Sequence, residues 1–223
     1  LTTGAGPDAV DPVWPAAARR VTVSPERLNR WLDNFASRHG TLDWQRGDAV
    51  VRAAASDGSQ AWFEVPFPPL VRALGVATDL ITQAGRDRRL GALLVRRGGY
   101  AAGVFAGTRL ISSKVGSSYV QGTTKAGGWS QQRFARRRDN QARAAFAEAA
   151  DVAVRVLLPE LAGLEGVMVG GDRGAIDAVL TDPRLVAVRG LVSGPLFAVP
   201  DPRRRVLEAF PEQFRAVVVH ILP

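Results

Sequence analysis

The chain has 223 residues, 46% of them apolar, enough for one large domain or two small ones around a substantial core. It has no cysteine and only two histidines, His39 and His220, which excludes disulfides, thiol catalysis, thiolate metal sites and any multi-histidine metal centre. The formal net charge is +8, from 29 basic and 21 acidic residues, and no apolar run approaches the ~18 residues of a membrane span, so a basic cytoplasmic protein is expected.

Lys114 and Lys125 are the only lysines, so nearly all the positive charge is arginine. A composition rich in Ala, Arg, Gly, Val and Pro accounts for the number of arginines. It does not account for their clustering. Clustered guanidinium groups suit phosphate, because the planar fork donates two parallel hydrogen bonds.

Residues 1–18 are rich in Gly, Pro and Ala without a period and read as a flexible lead-in. Val21 and Val23 predict a short strand. Ser24-Pro25-Glu26 reads as a helix start, with Ser24 as cap and Pro25 where its missing N–H costs nothing. Leu28, Trp31, Leu32 and Phe35 recur at helical spacing and should be buried, and Gly40 ends that helix. Asp48 to Ala55 and Gln60 to Phe67 flank Asp57-Gly58 as a hairpin. Leu70 to Gln83 holds a short helix, and Arg86 to Arg89 is a charged connector. Leu90 to Val95, Tyr100 to Ala106 and Arg109 to Ser113 read as meandering strands, turning at Gly98-Gly99 and at Gly107.

From Gly116 to Ser130 the period stops, and a loop of this length inside a compact domain is usually functional or disordered. A long helix is predicted over Gln131 to Leu158. Phe134, Ala142, Ala145, Phe146, Ala149, Val152 and Val156 share one face of it, and Arg133, Arg136, Arg137 and Arg143 the opposite one; Arg138 fits neither. The remainder alternates: strand at Gly166 to Val169, helix at Asp172 to Leu180, strand at Leu185 to Val188, helix at Pro202 to Phe210, strand at Arg215 to Leu222. Such alternation argues for a sheet covered by helices. The expected organisation is a lead-in (1–18), a smaller N-terminal α+β part (19–85) packed on the main domain, and an α/β domain (86–223) carrying the loop 116–130.

No nucleophile elbow, phosphate-binding loop or zinc-protease motif is present. Gly170-Gly171-Asp172-Arg173-Gly174 can present N–H groups to an anion, or simply make a tight strand-to-helix turn with Asp172 as cap. Tyr119 and Trp129 can stack on bases beside the arginines, or Trp129 can pack the loop root. Asp139 is the only acid from Ser130 to Ala147, which favours phosphate contact over a neutral solvated face. In Gly127-Gly128-Trp129-Ser130-Gln131 the carboxamide of Gln131 cannot act as a base, but it can orient a water or donate to a developing oxyanion. The glycines permit close backbone approach. Such a device needs its other catalytic groups from elsewhere, and arginines behind it suggest an RNA-built active site.

The run from Gly116 through Gln131 to Arg143 resembles the peptidyl-tRNA hydrolase domain of the Vms-like release factors, especially the actinobacterial members, relatives of the middle domain of eukaryotic and archaeal class I release factor. Their Gly-x-x-Gln pattern here reads Gly128-Trp129-Ser130-Gln131, in place of the release-factor Gly-Gly-Gln. Val167 to Gly171 and Asp182 to Leu185 look like later segments of the same fold, and the likeness extends over about residues 90–222. The resemblance implies an α/β (α+β) release-factor middle-domain or ribonuclease-H-like mixed sheet flanked by helices. It implies hydrolysis of the ester joining a nascent peptide to tRNA on a stalled ribosome or large subunit, with Gln131, Gly128 and Gly127 catalytic. Arg133, Arg136, Arg137, Arg143, Lys125 and Trp129 would meet rRNA or peptidyl-tRNA. A monomer without cofactor or metal is expected. Two alternatives stay open: a ribonuclease cutting the tRNA 3′ end, and a non-catalytic ribosome- or RNA-binding module.

Overall fold

The computed structural model describes residue 15, residues 17–117 and residues 130–223, with backbone alone over 130–140. The expected lead-in falls almost wholly outside these residues, as does most of the loop 116–130. The chain forms two compact units, one from the residues up to Arg86 together with Arg215–Pro223, the other from Asp87–Phe214. Among the described residues no helix is long and apolar enough to cross a membrane.

The first unit begins with β1 (Arg19–Val23) and α1 (Pro25–His39). Ser24 sits at the helix start in an extended conformation, but its side chain makes no capping bond to the helix backbone; the expected cap is not formed. Gly40, at φ 93°, ends the helix as expected. Leu28, Leu32 and Phe35 are buried and Trp31 is half-buried, ring-stacked on Phe35 at 5.3 Å.

β2 (Leu42–Gln45), β3 (Val50–Ala55) and β4 (Gln60–Glu64) follow. The last two form the hairpin expected around Asp57-Gly58, with Gly58 at φ 95°. β2 has no counterpart among the expected elements. After β4 the segment 66–75 is neither strand nor helix and bends at 66–69 and 73–74. Two buried side chains of α2 (Val76–Gly85) hold it down. Asp79 accepts backbone N–H bonds from Ala73 and Leu74 and pairs with Arg46; Gln83 donates to the carbonyls of Pro66, Phe67 and Pro69 and accepts from Val71 N–H. These bonds hold the Asp79 carboxyl far below its ordinary pKa, the Leu74 N–H contributing most.

The second unit opens with a meander: β5 (Arg89–Arg96), β6 (Gly99–Ala106) and β7 (Arg109–Ser117), antiparallel in turn. α3 (Ser130–Leu157) then carries the chain back to β8 (Gly166–Gly171), which pairs parallel with β5. The order β7-β6-β5-β8 makes a mixed sheet, antiparallel but for the β5–β8 pair. α3 and α4 (Arg173–Leu180) cover one face. Ala145, Ala149, Ala150 and Ala153 bring α3 close, and Leu157 fills the space over Gly91, where an added Cβ would lie 3.1 Å from it. Burying Leu157 here contributes roughly 1.5–3 kcal/mol, and each alanine methyl about 0.8 kcal/mol.

Beyond α4 the sequence pattern misleads once. Leu185 to Val188, expected as a strand, is a 3₁₀ turn (Pro183–Leu185) running into α5 (Val186–Gly190). The extended segment lies later: Val192 and Phe197 bridge β8 in parallel, with Leu191 O accepting from Val167 N–H, Ser193 N–H donating to Val167 O, Phe197 N–H donating to Val169 O and Phe197 O accepting from Gly171 N–H. α6 (Arg204–Ala209) and α7 (Pro211–Phe214) follow, with Phe105, Phe197, Phe210 and Phe214 packed ring to ring, their centroids 5.2–5.6 Å apart.

The final strand, β9 (Val217–Leu222), was expected to belong with the main domain. It pairs instead with β1 and β4, completing an antiparallel sheet of order β1-β9-β4-β3-β2 in the first unit. Val217 and Val219 are buried against Val51, Ala53, Phe63 and the helices of that unit.

Candidate functional site

The second unit presents one end at which several chain segments converge. β5 ends and β6 begins there, across the Arg97-Gly98 turn, and β7 leaves it at Ser117. Tyr100, buried at the start of β6, donates its hydroxyl to Glu148 Oε2 of α3 at 3.1 Å. Burial first and the Glu148 carboxylate second push the phenol pKa upward, so it stays a donor. The ring lies so close to Gly116 that a Cβ there would come within 2.3 Å of it. Glycine at 116 therefore lets the edge strand pass over Tyr100.

This contact fixes where α3 stands. Leu157 packs over Gly91 and Glu148 meets Tyr100, so the helix descends the sheet from the Tyr100 end. The first described side chain of α3 that is buried is Ala145. At ~1.5 Å per residue, the helix from Ser130 to Ala145 is about 22 Å long. Lower down, Asp151 ties α3 to the turn below it: Arg184 Nη2 lies 2.8 Å from Asp151 Oδ1 and 2.7 Å from Asp182 Oδ2. The Arg184 side chain, with its backbone N–H next, lowers the Asp182 carboxyl to a pKa of about 2.

Of the residues singled out in the sequence, Gln131 stands in the first turn of α3, and Arg133, Arg136 and Arg137 follow on the same helix. Arg143 is exposed and makes no ion pair among the described residues. Lys125, Gly127, Gly128 and Trp129 lie outside the described residues, as does Tyr119.

At the same end a cavity of about 370 Å³ opens between the Gly98 turn, Gly116, Ser117 and the segment Asp201–Arg204. Arg204 closes one side; its Nη1 donates to Ser113 Oγ at 3.1 Å and its Nε to Glu208 Oε1 at 2.6 Å. Arg203 is exposed beside it. Sequence reasoning missed these arginines. Arg203-Arg204-Arg205 is visible as a run, but nothing in the sequence says that it folds back beside β7.

The Gly170 to Gly174 turn is structural. Gly171 N–H donates to Phe197 O and Asp172 N–H to Val95 O, so its leading donors are spent within the protein. Asp172 is not a side-chain cap. Its carboxylate accepts from Arg97 N–H at 3.3 Å and faces Arg96 Nε at 3.4 Å. Among the described residues no three His, Asp or Glu side chains gather as a metal site. Both histidines lie in the first unit, His39 Nδ1 2.9 Å from Asp57 and His220 Nε2 2.8 Å from Glu64.

The mixed sheet is thus crossed by a long helix whose second residue is Gln131 and whose sequence places arginines at 133, 136, 137 and 143. The sequence model described as "Actinobacteria/chloroflexi VLRF1 release factor" matches residues 88–220, more than half of the chain, and the chain belongs to that family. No curated protein matches. Among solved structures the chain is similar to archaeal translation termination factor aRF1 (14% identity, TM-score 0.38, 86% of this chain covered). It is also similar to a structure described as "Archaeal protein" (18%, 0.38, 90%) and to S. cerevisiae Dom34, a translation termination-like factor (8%, 0.34, 85%). The chain spans 71%, 66% and 62% of those three. The family assignment rests on the sequence match and not on these likenesses.

Proposed function

We propose that the chain is a ribosome-dependent peptidyl-tRNA hydrolase that frees nascent peptides from stalled ribosomes or large subunits. The observation that carries this reading is the position of Gln131 in the first turn of α3, three residues after Gly128 in the run Gly127-Gly128-Trp129-Ser130-Gln131, in a chain of the release-factor family. The first turn of any helix leaves backbone N–H groups without intrahelical partners and carries the positive end of the helix dipole. That is a favourable place from which to meet an ester carbonyl as it gains negative charge.

In this reading Gln131 orients a water, through its carboxamide, its backbone N–H or both. The water oxygen attacks the ester carbonyl; the bond to the tRNA ribose oxygen breaks; and that oxygen takes the proton. rRNA and tRNA supply the remaining electrostatics and exclude bulk water. At about 100° per residue Gln131 falls on the helical stripe of Ala142, Ala145 and Ala149, opposite the stripe of Arg133, Arg136, Arg137 and Arg143. Residue 131 and the arginine positions thus fall on different sides of the helical period, and in this reading Lys125 and Trp129 add to the RNA contact.

The test is peptide release from purified large subunits charged with peptidyl-tRNA. Gln131→Ala should lower the rate by ~10²–10³-fold while cosedimentation with the subunit persists. Unchanged release would sink the assignment. An intact CCA end on the released tRNA is the expected product; a shortened end would replace ester hydrolysis by nuclease cleavage.

A further inference from the structure

The first unit carries an arginine-lined groove of its own. Two adjoining cavities, of about 430 and 380 Å³, open between α1 and the β1 edge and share Arg19, Trp31 and Asn34. Arg27 and Arg30 flank the first cavity and Arg38 the second. No Asp or Glu lines either one. All four arginines are exposed, and none makes an ion pair with a described residue. The acids of α1 stand elsewhere: Glu26 is bound by Arg215 at 2.7 Å, and Asp33 accepts from Asn29. His39, which also lines the second cavity, is held by Asp57.

Exposed helix faces ordinarily mix charge signs, and this one does not. Arg27, Arg30, Asn34 and Arg38 recur every three or four residues and form one line along α1. From Arg27 to Arg38 the line is about 16 Å long. Stacked nucleotides rise ~3.4 Å each, so it matches a strand of about five. Trp31 projects an apolar, half-buried ring into the middle of this line, fixed from behind by Phe35 and edge-on by Phe63. Asn34 beside it offers both a donor and an acceptor.

We infer that this groove binds a single RNA strand, its arginines on the phosphates and Trp31 and Asn34 against the bases. Charge complementarity demands a polyanion. An aromatic and an amide set among guanidinium groups favour nucleic acid over an acidic peptide. RNA is the choice because the chain belongs to a release-factor family. The inference rests on that membership and not on the hydrolase reading. It gives the N-terminal unit a role separate from Gln131: a second grip on RNA.

The experiment uses the whole chain and a fluorescein-labelled 12-nucleotide RNA of mixed sequence, read by anisotropy between 50 and 200 mM salt. Arg19→Glu/Arg30→Glu/Arg38→Glu should weaken binding at least about 10-fold and reduce the slope of log K against log salt by about 2, near 0.7 for each phosphate no longer neutralised. Far-UV circular dichroism and the melting temperature should match wild type; should charge reversal unfold the unit, Arg30→Gln/Arg38→Gln supplies the same reading with a smaller fall. An unchanged affinity and slope, with binding lost only when Arg133, Arg136 and Arg137 are reversed, would overturn the inference. So would poly-glutamate competing as well as RNA at equal charge, which would assign the groove to an acidic protein segment. Gln131→Ala should leave this binding intact, so failure of the hydrolase reading and failure of the groove are distinguishable.

Discussion

At the scale of single residues, glycine decides where the chain can turn. Gly171 ends β8 at φ 112°, and a Cβ there would lie 2.0 Å from the Val95 carbonyl oxygen. The contact is with backbone of the neighbouring strand, which cannot swing aside as a long side chain can. Gly171→Ala should therefore destabilise the second unit by at least about 3 kcal/mol, combining left-handed strain with the clash. At 2–4 °C per kcal/mol this is a fall of roughly 6–12 °C in melting temperature, measurable by calorimetry; an unaltered melt would show that the turn relaxes freely. The turn itself was legible, because Gly-Gly-Asp between a strand and a helix has few other uses. The destination of the Asp172 carboxylate was not. Local preference points it at its own helix, whereas Arg96 and Arg97, more than seventy positions earlier, draw it to the β5 end. Contacts of that sequence separation leave no mark on the local pattern. The same holds for Tyr100 and Glu148, each unremarkable in sequence and together the anchor of α3.

At the scale of elements, α3 was the most readable, because its apolar period runs over many turns and the structure buries Ala145, Ala149, Val152 and Val156 from the face expected. Short segments fared worse. Leu185-Val186-Ala187-Val188 reads as strand from its β-branched content. Packing buries Leu185 and Val188, three apart, and leaves Val186 55% exposed, which is a helical spacing and not an alternating one. Four residues cannot separate those periods by themselves. β2 escaped for the same reason: Leu42 and Trp44 alternate inward, but over a single strand of Leu42–Gln45. The arginine stripe of α3 is the feature with a functional consequence. If it holds rRNA or tRNA phosphates, Arg136→Glu/Arg137→Glu should weaken cosedimentation with large subunits at every salt between 50 and 200 mM. The dependence on salt should flatten at the same time, because a phosphate that no arginine neutralises keeps its counterions and their release no longer drives binding. Binding that is insensitive to the double reversal throughout that range would return these side chains to a merely solvated face.

At the scale of the whole molecule, the chain's most consequential long-range pairing is also the one its linear order conceals. β9 follows the second unit in sequence yet lies between β1 and β4 in the first, so it is an interior strand of that sheet and not an edge. Reading along the chain assigns it to the domain it follows; only strand pairing shows otherwise. The consequence can be tested by shortening the chain after Phe214. The second unit keeps every strand and helix of Asp87–Phe214, whereas the first loses Val217 and Val219 from its core and leaves β1 without a hydrogen-bonded neighbour. Deleting two fully buried valines alone costs several kcal/mol, and the missing ladder adds unpaired backbone groups on β4. Of the five tryptophans, the three among the described residues, Trp31, Trp44 and Trp62, all lie in the first unit, so the greater part of the fluorescence reports on it. The shortened chain should show red-shifted, quenchable tryptophan emission in native buffer while helical circular dichroism from α3 persists. Adding the peptide 215–223 in excess should restore the blue-shifted emission, as a strand supplied in trans. Native-like emission from the shortened chain without the peptide would mean that the first unit folds without this interior strand, and that the pairing of β9 with β1 and β4 is dispensable.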